Sequence, residues 1–333
     1  MTMTTLSLTG VVVATVLPFD AGQEIDWASY ARVVRYCVMA DGISAVLVNG
    51  HAGEGGALTP DERDAVIRAT RKTMHDGGQQ AKPLIAGIIA QSTREAVLEA
   101  RLAKAAGADA LTIFPPASFG GARTEMVVSY VRAIIAAADL PVAIFQYPLA
   151  SGYGYSTQTL IELAKLPRVI AIKEGSDTMR AYEENRAAIK AERTDLSVLA
   201  SNFDWFLAQL AVGADGILSG LAALVPDDLV ALWRAGAAND LPAMRAASNK
   251  MLPLVRAIYA LPRNEMYARI KVALAMMHVI ASPMAREPFV PVPDVVCARI
   301  RAALIQMGLL DAEGRPVVSL ITSLDDGATL PAE

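Results

Sequence analysis

The chain has 333 residues, 53% of them hydrophobic, and a formal net charge of -4; it can bury a large core, as one big barrel or two ordinary domains, and has no basic surplus for nucleic acid. Cys37 and Cys297 are too few and too far apart for a disulfide framework or a metal site. Met1 to Gly10 lacks a signal-peptide pattern, and Arg, Asp, Lys or Gly breaks every apolar run before it could span a bilayer, so the expectation is a soluble, cytoplasmic protein with no membrane partner.

Short apolar strands alternate with amphipathic helices along the chain. The strands are expected at Val11–Val16, Ile43–Val48, Pro83–Ile88, Ala110–Phe114, Val142–Gln146, Val169–Glu174, Ser197–Ser201 and Gly216–Ser219. Between them, Trp27–Ala40 follows an Asp26 able to cap it. Thr59-Pro60-Asp61-Glu62 is a capping box with proline at the first helical position, opening a helix to about Met74. Ser92-Thr93-Arg94-Glu95 repeats that signature before Ala96–Ala106. Glu125–Ala138, Thr157–Lys165, Met179–Lys190 and Phe203–Val212 supply the next helices, and Gly or Asp breaks after several of them fit C-terminal caps.

Eight such units of roughly thirty residues are what a (β/α)8 TIM barrel requires. The alternative, a doubly wound open sheet, lacks its Gly-x-Gly-x-x-Gly turn after the first strand. After Gly220 the pattern is helical: Asp227–Ala237, Leu241–Ala260, Glu265–Ile280 and a helix near Pro293–Met307. The expected division is a barrel core over 1–225, the last barrel helix and a C-terminal helical extension over 226–314, and a surface tail over 315–333.

One residue stands out against this frame. Lys173 closes the β-branched run Val169-Ile170-Ala171-Ile172-Lys173-Glu174-Gly175, and alternation puts Val169, Ala171 and Lys173 on one face with Glu174 on the other. A lysine in apolar surroundings is costly unless it is paired or its pKa falls. Partly neutral, it is a nucleophile towards carbonyl carbon. The plain alternative is a lysine that ends a strand and snorkels to water.

Catalytic groups in such barrels sit at the C-terminal strand ends. Those ends carry Asn49-Gly50-His51-Ala52-Gly53-Glu54-Gly55, Phe145-Gln146-Tyr147-Pro148, Lys173-Glu174-Gly175 and Gly216-Ile217-Leu218-Ser219-Gly220. With the opening Gly10 to Asp20, Pro148 with Ser151-Gly152, and Leu210 to Gly216, these motifs make the chain resemble the dihydrodipicolinate synthase/N-acetylneuraminate lyase family up to about residue 300. The resemblance implies a Schiff-base lyase or aldolase acting on a small-molecule 2-oxo acid of pyruvate type. It implies Lys173 as the imine-forming residue, a site lined by Gly50, Ala52, Gly53, Phe145, Gly175 and Leu218, and a homotetramer or other homo-oligomer. No metal or nucleotide cofactor is expected, because the imine itself withdraws the electrons.

The departures from the family pattern matter as much. The hydroxyl pair usual in the glycine-rich loop is replaced by His51 and Ala52, leaving the backbone N–H groups near Ala52 and Gly53 to receive a carboxylate. Phe145 stands where the family's proton-shuttling tyrosine is expected, Phe114-Pro115-Pro116-Ala117 replaces the aromatic residues that complete the relay, and Ala150 stands in place of the synthase arginine. A lysine-pathway synthase is therefore not expected. His51, whose imidazole titrates near neutrality, and Tyr147, on the face of Phe145, are the candidates for the missing acid/base group; each could instead serve structure. Tyr153 and Tyr155 lie in a glycine-rich segment readable as a lid or a surface loop, Ser201, Asn202 and Asp204 could face substrate or cap a helix, and Glu174 is assigned to structure. Aldol cleavage comes first among the reactions considered. The alternatives are dehydration or decarboxylation of a sugar-acid-derived 2-oxo acid, and a catalytically retired barrel that binds a small carboxylate.

Overall fold

A computed structural model describes residues 6–201 and 205–317. Eight parallel strands close in sequence order: β1 (Gly10–Ala14), β2 (Ile43–Val48), β3 (Leu84–Ile88), β4 (Ala110–Ile113), β5 (Val142–Gln146), β6 (Val169–Glu174), β7 (Ser197–Ala200) and β8 (Gly216–Ser219), with β8 pairing back to β1. This is the (β/α)8 barrel, and closure rules out the open sheet. Nearly every strand residue is buried, because each strand faces the barrel interior on one side and the helix layer on the other.

The outer ring comprises α1 (Trp27–Met39), α2 (Pro60–Asp76), α3 (Thr93–Ala106), α4 (Thr124–Ala138), α5 (Thr157–Ala164), α6 (Met179–Glu192), α7 (Phe206–Ala211) and α8 (Pro226–Ala237). Asp26 caps α1 through the Ser29 N–H, and Thr59 with Glu62 forms both halves of a capping box on α2. The signature before α3 forms only by half. Ser92 accepts the Glu95 N–H, but the Glu95 carboxylate reaches one residue further and accepts from the Gln91 N–H.

Three helices extend the barrel: α9 (Leu241–Ile258), α10 (Met266–Met276) and α11 (Asp294–Gln306). The third of the expected C-terminal helices stops four residues early, because His278 takes a left-handed φ of 58° and turns the chain. Val279 and Ile280 remain buried beyond that turn, which is why the apolar pattern ran on. Met277 joins the core and Met276 and Met284 pack against it. Residues 315–317 fold back on the end of α11 through the Val317 N–H and Leu309 carbonyl; the rest of the expected tail, with Asn202, Phe203 and Asp204, lies outside the described residues. No helix among the described residues is long and apolar enough to cross a membrane.

Candidate active site

Lys173 stands at the C-terminal end of β6, in register with Phe145 at the end of β5. Paired neighbours on adjacent parallel strands point to the same side, so their side chains meet: the Lys173 Nζ lies 3.7 Å from the centre of the Phe145 ring. The side chain is only half-buried, yet its apolar walls strip water from the amine and pull its pKa down to about 7. The ring face attracts a cation, an effect of roughly 0.5–2 kcal/mol that favours the charged form by about one pKa unit. Burial acts the other way and dominates. The result is an amine neutral for about half the time at pH 7, at the end of the barrel where a carbonyl compound can reach it.

Phe145 is one of four rings packed together here. Phe114, just past β4, stacks on Phe145 with centroids 4.6 Å apart, and Phe145 stacks on Tyr147 at 4.5 Å. His51 packs across this ladder, 4.9 Å from Phe114 and 5.8 Å from Phe145. Tyr147 and His51 share a hydrogen bond between Oη and Nε2. Burial raises the phenol above its ordinary range and draws the imidazole down to about 4, the nearby Lys173 charge adding to the latter. Both shifts keep the proton on oxygen, so Tyr147 donates to a neutral His51. Tyr147 does share the face of Phe145, and Pro148 does not divert it.

The glycine-rich segment after β2 forms the next wall. Ala52 lies against the start of the loop after β8, where a Cβ placed on Gly220 would sit 3.2 Å from that of Ala52, while Gly50 faces the Phe114 ring. The turn is closed by the Glu54 N–H to the His51 carbonyl and the Gly55 N–H to the Gly50 carbonyl. Among the described residues no group accepts the Ala52 or Gly53 N–H. Two adjacent amides left over by a turn can hold a carboxylate. Gly175 packs on the Gln146 carbonyl, where a Cβ would come within 2.6 Å, and Leu218 is fully buried on β8.

Glu54, which ends this turn in a left-handed conformation, finds its partner far along the chain. Its carboxylate is paired with Lys271 of α10, both side chains being buried. Lys271 also donates to the Met284 carbonyl at 2.9 Å and lies over the Phe19 ring, and the second Glu54 oxygen accepts the Arg286 N–H at 2.8 Å. Arg286 in turn holds Glu62 by two hydrogen bonds, keeping that carboxyl at about 2. Charge inside the otherwise apolar run Ile270 to Leu274 was the one available signal for Lys271.

The segment after β5 is fastened by a side chain. The Gln146 amide donates to the Tyr155 carbonyl and its oxygen accepts the Tyr155 N–H, both at 2.9 Å. Tyr155 is thereby buried, while Tyr153 stays exposed with its ring 6.2 Å from that of Tyr147. Gly154 permits this close fold: a Cβ there would lie 2.5 Å from the Tyr147 carbonyl. Glu174 points to the helix layer, accepting from Ser176 and from Asn185 of α6. The Ser201 hydroxyl donates to the Glu174 carbonyl. A cavity of about 250 Å3 opens beside His51, between the glycine-rich turn and Tyr267, Glu287, Pro288 and Phe289.

Comparison with known proteins agrees with this architecture. Residues 7–307 match the model of the dihydrodipicolinate synthetase family. An uncharacterized DapA-like lyase of Halobacterium salinarum is 33% identical over 305 residues, covering 92% of this chain and 96% of that protein. The 4-hydroxy-tetrahydrodipicolinate synthase of Syntrophobacter fumaroxidans is 28% identical, covering 90% and 99%. The crystal structure of dihydrodipicolinate synthase from Thermotoga maritima superposes with a TM-score of 0.84 at 26% identity, over 92% of this chain and all of that one. Shared along nearly its whole described length with lyases and synthases of one barrel type, the chain belongs to the dihydrodipicolinate synthetase family and is an enzyme of the aldolase-type lyase class.

Proposed function

We propose that the protein is a Schiff-base lyase that makes or breaks a carbon–carbon bond beside a 2-oxo acid, with Lys173 as nucleophile. The observation carrying this reading is the desolvated Lys173 amine against the Phe145 ring at the C-terminal end of β6. The neutral amine adds to the 2-oxo carbon, and loss of water gives an iminium. The substrate carboxylate lies on the Ala52 and Gly53 amides. In cleavage, a base takes the proton of the C4 hydroxyl, the C3–C4 bond breaks to release an aldehyde, and its electron pair enters the iminium to form an enamine. C3 then takes up a proton, and water frees pyruvate and the lysine. The Tyr147–His51 pair is the proton carrier in this reading: neutral His51 accepts and the Tyr147 hydroxyl donates. Phe145, having no exchangeable proton, packs against the amine instead.

The chain departs from a lysine-pathway synthase at Phe145 and at Ala150. The hydrogen-bonded Tyr147–His51 pair favours an active lyase over a retired barrel. A homo-oligomer belongs to the same reading, supported by Leu98 and Met126, which lie exposed on the neighbouring helices α3 and α4.

Incubation with pyruvate and borohydride, followed by intact mass and peptide mapping, tests the proposal. A reduced adduct on Lys173, absent from Lys173→Ala, is the expected result. No adduct with pyruvate or longer 2-oxo acids would remove the lysine as nucleophile. Product analysis then separates cleavage, giving pyruvate and an aldehyde, from dehydration, giving a single oxo acid.

A further inference from the structure

The side chains around Lys173 also carry information about the other half of the substrate. The ladder Phe114–Phe145–Tyr147 continues through Tyr153 to the protein surface, with successive centroids 4.6, 4.5 and 6.2 Å apart. A substrate joined to Nζ has its 2-oxo carbon one bond from the amine, already against the Phe145 ring. A C3–C4 bond running outward along this wall meets Tyr147 and then Tyr153.

Several polar side chains at the strand ends are already hydrogen-bonded within the protein. Both ends of Gln146 are bound to Tyr155, and Ser176 and Ser201 are bound to Glu174. Ser219 accepts from the Leu221 N–H, and the Asn49 amide donates to the Arg63 carbonyl. A sugar-like chain losing its water here would find few replacements, at a cost for each unpaired hydroxyl. The charges nearby are also committed, Glu54 to Lys271 and Glu62 to Arg286. On the other side of His51, the cavity offers Ile89, Tyr267, Pro288 and Phe289, together with the carboxylate of Glu287, which would repel a second acid group.

Building on the Schiff-base reading, we propose that the aldehyde partner carries an aryl or similarly flat apolar group, held against the rings of Tyr147 and Tyr153, and not a polyol chain or a second carboxylate. Rings in offset or edge contact attract one another beyond their area of burial, which suits a flat apolar fragment.

The test is aldol condensation of pyruvate by the purified enzyme with benzaldehyde, D-glyceraldehyde or succinic semialdehyde, each product quantified by chromatography. The kcat/KM for benzaldehyde should exceed the other two by at least tenfold. Tyr153→Ala should raise KM for benzaldehyde about threefold to tenfold, the value of one aromatic contact, and Tyr153→Phe should retain the wild-type KM. Preference for glyceraldehyde or the semialdehyde, or an unchanged KM in Tyr153→Ala, would overturn the proposal while a pyruvate adduct on Lys173 left the Schiff-base reading standing. Failure to form that adduct would remove both.

Discussion

Raising the pH from 6 to 8 should accelerate capture of pyruvate by Lys173 roughly tenfold and then cease to help. Only the neutral amine attacks, and its pKa is pulled down to about 7 by burial. The neutral fraction is then about 9% at pH 6, about 50% at pH 7 and about 91% at pH 8, whereas a lysine at its ordinary value of about 10.4 would be under 1% neutral throughout. The sign follows from desolvation, which disfavours the charged form of a lysine. His51, drawn down to about 4, stays neutral across this window and contributes no titration of its own. The assay is the initial rate of adduct formation with saturating cyanoborohydride, read by intact mass between pH 6 and 10, with Lys173→Ala as the blank. A rate climbing tenfold per pH unit as far as pH 10 would mean an ordinary, solvated amine, and the argument from the Phe145 wall would fail.

Tyr147→Phe should lower turnover by roughly 10²- to 10⁴-fold, the usual worth of a proton carrier, while mass spectrometry still finds the pyruvate adduct. Lys271→Met leaves the Glu54 carboxylate buried without its partner; calorimetry should show a loss of about 3–5 kcal/mol, largely recovered in Glu54→Leu/Lys271→Met. Gly154→Ala places a Cβ within 2.5 Å of the Tyr147 carbonyl, so the segment must shift, lowering stability by about 1–3 kcal/mol in a thermal melt and reducing turnover. Sedimentation velocity should find an oligomer that Leu98→Arg with Met126→Arg weakens.

The strands β2, β5, β6 and β8 were legible to the residue because β-branched runs there end against glycine, proline or a polar side chain. β1 was read two residues long at its end. Thr15 and Val16 continue the buried apolar stretch after the ladder of paired strands has stopped, so burial alone did not mark the boundary. Around the amine, Lys173 could be named from its strand, Phe145 and His51 from the family resemblance, and Tyr147 by alternation from Phe145, since two residues apart on one strand means one face. Phe114 was legible only as the loss of a relay residue. Its place beneath His51 depends on how far β4 projects, which no local pattern encodes. The Glu54–Lys271 pair joins residues 217 positions apart, and helical periodicity in α10 says only that Lys271 lies among apolar neighbours.

That pair changes what a boundary in this chain means. Sequence patterning divides barrel from extension near residue 225, yet the turn proposed to receive the substrate carboxylate is anchored through Glu54 to a lysine some fifty residues beyond that line. A protein cut there would keep all eight strands and lose the countercharge to the glutamate of its own glycine-rich turn. The extension thus helps to shape the candidate active site, and loops grafted between relatives would have to travel with their distant anchor to keep their shape.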